Sequence, residues 1–342
     1  MKSSRLTLEF KLFIKRLLRK VGIVLASFFL LVGFFIYRDL YADFGINKDA
    51  IVKYNFHNIS DFSIKKLSRS KIKYNTFIFG SSRSIPLYAC YIKHRVFNDN
   101  NQIIPFHFAN WGERIGGICK KLEYLDAKGY SLKKIFILLD NNICFNQNGD
   151  TKLDESHVIS GIPWLNGASN HFLYFFYYSG DKLPINLRIL FGLARKSDYM
   201  FVDKLTNDLN HHCPKNLKFE SIFHTSQHVI NLRKELPKRI GFAVKQPDRI
   251  NNNVLNYLKR IKKIIDKHRS NYVIIYSPMY NQRIFGSKDN QILYQFFKGH
   301  IVDFSGVNKL TNSWNEYADI AHYYPSIGKK MIDSLANTNL FN

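Results

Sequence analysis

The sequence predicts an α/β domain with a mostly parallel sheet and helices on both faces, carried behind one N-terminal transmembrane helix. Three observations lead there. From residue 74 onward short apolar runs alternate with amphipathic stretches, the rhythm of a parallel sheet whose strands are buried on both sides. One run of seventeen residues, Val21–Tyr37, carries no charge. The 342 residues are 46% apolar and 22% charged, which suffices for a packed core and rules out disorder over most of the chain. With 18 Gly, 9 Pro and 4 Cys, collagen-like, coiled-coil and disulfide-scaffold classes are excluded as well. The length allows one large domain or two small ones.

The N-terminal element comes first. Lys2, Arg5, Lys11, Lys15, Arg16, Arg19 and Lys20 face a single acid, Glu9, within the first twenty residues. The apolar run that follows covers roughly 25 Å as a helix, slightly less than the hydrocarbon core but inside the range of membrane spans. Lys20 and Arg38 can snorkel to make up the difference. A cleaved signal peptide would end in a small-x-small site, whereas this run ends Phe34-Phe35-Ile36-Tyr37-Arg38-Asp39. The expectation is therefore a retained signal anchor: residues 1–20 a cytoplasmic basic head, 21–37 in the membrane, and everything beyond about residue 40 outside the cytoplasm. Of the net charge of +24, the head accounts for +6 and the exported part for +18. In that compartment nucleic acid is not an expected partner, and an anionic envelope glycan or the lipid surface is. Cys90, Cys119, Cys144 and Cys213 match no zinc spacing, and since the first three fall next to predicted core elements, buried free thiols are the default expectation.

Residues 38–73 are mixed and polar, a stalk or lead-in. The first half of the domain, 74–142, should hold strands at Asn75–Phe79, Ile103–Phe108 and Lys134–Leu139, with helices at Ser84–Arg95 (Pro86 in its first turn) and Gly117–Lys128. The second half, 251–342, should hold a basic amphipathic helix at Asn251–Arg269, strands at Asn271–Tyr276 and Ile301–Phe304, and a closing helix at Ser326–Ala336. Residues 143–250 fit this rhythm poorly. They include the aromatic run His171–Tyr178 and are expected to be an insertion acting as a lid or substrate platform, extra core being the alternative. Sheets of this kind take ligands at the carboxyl ends of their strands.

Two segments at such positions can carry chemistry. Phe77-Ile78-Phe79-Gly80-Ser81-Ser82-Arg83-Ser84 runs from an apolar strand into a helix start, placing a hydroxyl where backbone N–H groups favour developing negative charge. Tyr317-Ala318-Asp319-Ile320-Ala321-His322-Tyr323-Tyr324-Pro325 puts an Asp three residues before a His, close enough for its carboxylate to fix the imidazole at Nδ1 and leave Nε2 for a serine proton. Each alone is commonly a turn or a self-capped loop.

Together, a Gly-x-Ser at the end of the first strand, a parallel-sheet rhythm and Asp-x-x-His before the last helix resemble the SGNH or GDSL hydrolase superfamily, with Gly-Ser-Ser replacing the usual Gly-Asp-Ser. The variant looks like its membrane-anchored, exported branch, which includes the D-alanine transfer protein of teichoic-acid modification and the alginate-type O-acetylation proteins. The likeness covers roughly 74–142 and 271–336. It implies a flavodoxin-like three-layer sandwich, Ser82 as nucleophile, His322 as general base, Asp319 as its orienter, and no metal or cofactor. It also implies an oxyanion hole from the Ser82 backbone, a glycine after the second strand and an asparagine after the third. Gly116 and Asn141 are the expected donors, with Gly112 and Asn142 as alternatives, although the family's Gly-x-Asn-Asp form is absent. The implied activity is esterase or O-acyltransferase, acetyl being the expected group, on a cell-envelope polysaccharide, with a membrane partner that supplies acyl groups as a further possibility. A tethered glycan-binding or assembly protein that kept the fold and lost turnover is the rival expectation.

Other groupings are weaker. His211, His212, Cys213, His224 and His228 lack a defined third metal ligand. Arg83 is expected either to meet an acidic substrate group or to form an ion pair at the core edge. Lys259, Arg260, Lys262, Lys263, Lys267 and Arg269 make a basic stripe, solvated or laid against anionic lipid.

Overall fold

The computed structural model describes residues 2–39, 50–52, 59–141, 143–146, 183–193, 199–209, 236–237, 239 and 241–341. The chain divides into two compact units, residues 1–56 with 162–200, and residues 57–161 with 201–342. In the first, helix α1 (Lys2–Arg38) runs unbroken for 37 residues, roughly 55 Å at 1.5 Å per residue. Its segment Phe10–Arg38 is long and apolar enough to cross a membrane, and Val24, Phe29 and Leu30 are exposed along it. The helix holds no proline, and Gly22 and Gly33 lie within it without breaking it, so the basic head and the apolar run form one rod rather than a head and a separate span.

The second unit is built on five parallel strands: β1 (Thr76–Phe79), β2 (Pro105–His107), β3 (Lys134–Leu139), β4 (Asn271–Tyr276) and β5 (Ile301–Asp303). Their order is β2-β1-β3-β4-β5, so the chain winds outward in both directions from β1 and β3, the doubly wound pattern. The register pairs Phe77 with Ile135 and Ile135 with Tyr272. Alternating side chains divide the core in two. Phe77, Phe79, Ile135, Ile137, Leu139 and Ile274 pack under α4 (Ile115–Ala127) and α6 (Asn252–Lys267). Ile78, Phe136, Leu138, Val273 and Ile275 pack under α3 (Ala89–Phe97) and α8 (Pro325–Ala336). Helices thus cover both faces, which is why these strands carry so few polar residues. Among the described residues this unit also has α2 (Ile59–Arg69), α7 (Ser287–Phe297) and a single helical turn at Lys309–Asn312, while α5 (Leu183–Leu190) belongs to the first unit. Within the expected lead-in, α2 places Leu67 in the first core.

Most elements fall within two residues of expectation, with one correction that matters for the site. The helix expected from Ser84 begins at Ala89 instead. Before it lies a three-residue 3₁₀ turn, Ser82–Ser84, held by three-residue hydrogen bonds from Ser84 N to Ser81 O, Ile85 N to Ser82 O and Leu87 N to Ser84 O. Serine side chains compete for this backbone, Ser84 Oγ donating to Ser81 O and Ser81 Oγ accepting from Arg83 N, and that competition keeps the α-ladder from starting. The expected helix-dipole field at Ser82 is accordingly that of a single turn. The start of α3 is capped from a distance: Asp208 accepts from Ala89 N and Cys90 N at 2.9 and 3.4 Å, a carboxylate where the helix N-terminus favours one.

Candidate active site

Because the strands are parallel, their carboxyl ends share one edge of the sheet. β1 delivers Gly80 to that edge, where a Cβ would stand 2.8 Å from the Ser84 Cβ and 3.0 Å from the Leu138 Cβ. Only glycine lets the chain turn so tightly there. Ser82 follows at the half-buried tip. On the other side, residues 317–323 form a small hairpin: Tyr317 bridges Tyr323, and Ala318 N donates to His322 O at 2.8 Å. Asp319 Oδ1 accepts from Ala321 N and His322 N at 2.6 and 2.7 Å, so the Asp-x-x-His spacing closes a turn on its own carboxylate.

The two segments, 240 residues apart, meet. Ser82 Oγ lies 2.9 Å from His322 Nε2, and His322 Nδ1 lies 2.8 Å from Asp319 Oδ2. An ionised carboxylate only accepts, so Nδ1 carries the proton and Nε2 is the acceptor for the serine hydroxyl. Burial pushes the Asp319 carboxyl up, but the hydrogen bonds from His322 and from the Ala321 and His322 backbone outweigh it, and its pKa falls below the ordinary value. The His322 side chain is 45% exposed, open to a reactant from outside.

The expected oxyanion donors are placed unequally. Asn141 follows β3 at the same edge; it is 5% exposed and neither its Oδ1 nor its Nδ2 has a hydrogen-bond partner. A buried amide left unsatisfied is costly, and this one stands one residue from a side chain that binds the Ser82 turn. Gly116 is the second residue of α4, with the Tyr257 ring 3.1 Å from where its Cβ would be; that approach explains the glycine through helix packing. Gly112 sits in a left-handed turn at φ 56° with open space around it. Asn142 lies outside the described residues.

Several groups that sequence reasoning passed over support the site. Asp140, between β3 and Asn141, takes the Ser81 hydroxyl on Oδ2 and stands 3.1 Å from Arg83 Nη1 through Oδ1. Arg83 itself is 2% exposed, so it faces the core and not a substrate, the ion-pair alternative of its two expectations. Asn110 N donates to Gly80 O at 3.1 Å, and its Oδ1 accepts from Ile59 N. A second, wholly buried chain joins Ser84 Oγ to His107 Nε2 at 3.2 Å and His107 Nδ1 to Asp208 at 2.9 Å, anchoring residues 203–208 of the insertion under the same turn. The signal for Asp140 was present in its place at a strand's carboxyl end; for His107 and Asp208, 101 residues apart, there was none.

The chain matches no family model, and no curated protein is similar to it. The Ser82, His322 and Asp319 geometry therefore stands on its own chemistry.

Elsewhere, Cys90, Cys119 and Cys144 are buried thiols outside any disulfide. Burial pushes Cys119 up to about 12 and Cys144 well above its usual value, which makes both inert. Cys213, His211, His212, His224 and His228, like the aromatic run His171–Tyr178, lie outside the described residues. Among the described residues no cluster of His, Cys, Asp or Glu is arranged to hold a metal. Half of the basic stripe along α6 is answered within the domain: Arg260 pairs with Glu123, Lys262 with Asp266 and Lys267 with Asp126.

Proposed function

We propose that the protein is a membrane-anchored serine esterase or O-acyltransferase of SGNH type that acts, through an acyl-serine, on ester-linked acyl groups of an anionic cell-envelope glycan, acetyl being the expected group. The observation that carries this reading is the continuous hydrogen-bonded chain from Ser82 through His322 to Asp319, assembled from opposite ends of the sequence at the carboxyl edge of a parallel sheet.

In the first half-reaction Ser82 Oγ attacks the acyl carbonyl while His322 Nε2 takes the hydroxyl proton, and Asp319 stabilises the resulting imidazolium. The oxyanion that forms needs donors fixed in advance. The unpaired Asn141 amide and the backbone N–H of Ser82 are the groups this chain offers. Collapse expels the alcohol, which leaves with the proton from His322. Water then resolves the acyl-serine in an esterase, and a sugar hydroxyl does so in a transferase. Helix α1 would tether the domain with its basic end in the cytoplasm, and an acyl-supplying membrane partner would be needed for transfer.

The test is acetate release from a model aryl ester by the purified full-length protein in detergent, beside Ser82→Ala. Turnover should fall by three or more orders of magnitude in the variant. Equal rates in both proteins would end the serine mechanism. Absence of turnover in both, with salt-sensitive retention on anionic glycan, would favour a binding protein instead.

A further inference from the structure

We propose that Arg83 is a positioning residue: its buried guanidinium, seated on Asp140, clamps the turn that carries Ser82 to the loop that carries His322. The role rests on the serine reading above, and it comes from contacts on both sides of both residues. Nε of Arg83 donates to the carbonyl of Ala321 at 2.5 Å, and Ala321 immediately precedes His322. The hydroxyl of Tyr323, which immediately follows His322, donates to the carbonyl of Arg83 at 2.5 Å. His322 is thus bracketed by two contacts to one residue, and that residue is the next one after Ser82.

Ser82 is bracketed in the same way. Asp140 receives the hydroxyl of Ser81 on one oxygen and faces Arg83 Nη1 with the other, so a single carboxylate at the end of β3 grips the residues on either side of the nucleophile. Asp140 and the Arg83 side chain are each 1% exposed.

A buried ion pair is a poor way to gain stability, since well-packed apolar residues of similar volume do as well or better. Its distinguishing property is direction. The guanidinium is planar and rigid, so Nη1 can lie in charge contact with the carboxylate while Nε addresses the Ala321 carbonyl at a fixed angle. A lysine can keep the charge but has only a point-like ammonium, and it cannot serve both partners in the same way.

Arg83→Lys is therefore the informative variant, with Tyr323→Phe, which removes only one hydroxyl, as the companion should the first fail to fold. Two readouts are taken on full-length protein in detergent. The first is the rate at which a fluorophosphonate labels Ser82: an Oγ–P bond forms, fluoride leaves, and the serine proton passes to His322. The rate should fall tenfold or more in Arg83→Lys and threefold or more in Tyr323→Phe, with kcat for a model ester falling in step and KM unchanged. The second is amide hydrogen exchange at Ala321 and His322, which should quicken tenfold or more in Arg83→Lys while exchange in β3 and β4 stays as in the parent. Parental exchange at Ala321 and His322 in both variants would overturn the clamp whether or not Ser82 reacts. An unlabelled parent would instead remove the serine reading and leave exchange to decide the clamp.

Discussion

Asn141 is a buried side chain whose amide bonds to nothing, and it offers a clean separation of stability from chemistry. Ordinary buried asparagines lose hydrogen bonds on substitution; this one has none to lose. Asn141→Leu is expected to leave the thermal midpoint unchanged or raised, because an unsatisfied amide is replaced by apolar volume. If the amide meets an oxyanion, the same variant should lose about a hundred- to a thousand-fold in kcat. Calorimetry and ester turnover on one preparation check both halves. Carboxylates give a second residue-scale expectation. Asp126 is held low by Lys267 and His268; in Asp333 burial pushes upward, but Lys329, Arg95 and Tyr91 prevail and its pKa is lowered, as for Asp319. A carboxyl whose folded pKa is depressed contributes stability that is present above its unfolded value, about 3.9, and lost as pH falls through the folded one. Chemical denaturation should therefore show stability declining below about pH 4, with Asp333→Asn removing part of the slope.

At the scale of elements, two close approaches fix where the site's segments run. Gly80 permits the turn out of β1, and Gly328 in α8 lies against Pro86, whose carbonyl and ring would overlap any Cβ placed there. Since α8 begins three residues after His322, this contact also sets where the histidine loop enters the sheet edge. Gly328→Ala should cost about 1–3 kcal/mol of overpacking and slow Ser82 labelling, whereas Gly129→Ala, at an exposed left-handed turn with nothing nearby, should cost stability alone. Denaturant midpoints and labelling rates distinguish the two. Elements were also the level at which sequence reading went furthest. β3 and β4 are visible as runs of five apolar residues behind Lys134 and Asn271, and α6 through Val254, Leu258, Ile261 and Ile265 on one face. Where it failed, at the start of α3, the cause was long-range: the cap is Asp208, about 120 residues on, and hydroxyls at Ser81 and Ser84 hold a 3₁₀ turn that helix propensity does not foresee. The Ser82, His322 and Asp319 set was legible because each member sits in a local pattern. The Arg83–Asp140 pair was not, since nothing in either neighbourhood states that a core arginine will find that carboxylate.

For the molecule as a whole, the first expectation concerns the membrane. If α1 is a retained anchor, full-length protein should stay in the membrane fraction after alkaline carbonate extraction, and a tag before Lys2 should be protected from protease in cells whose outer face is exposed to it. A soluble, N-terminally shortened product would contradict retention. Sequential order has a further consequence. β4 is hydrogen-bonded to β3 although 131 residues separate Leu139 from Asn271, and Ser82 meets His322 across 240 positions. A chain in synthesis therefore holds Ser82 long before it holds His322. Until the segment that carries His322 has docked, Ser82 has no imidazole beside it, and a polypeptide cut short ahead of residue 322 would lack the proposed base altogether. Under the proposed serine mechanism, reactivity would thereby be timed to completion of the chain, and the hydroxyl would meet no ester in an activated state before its fold had closed.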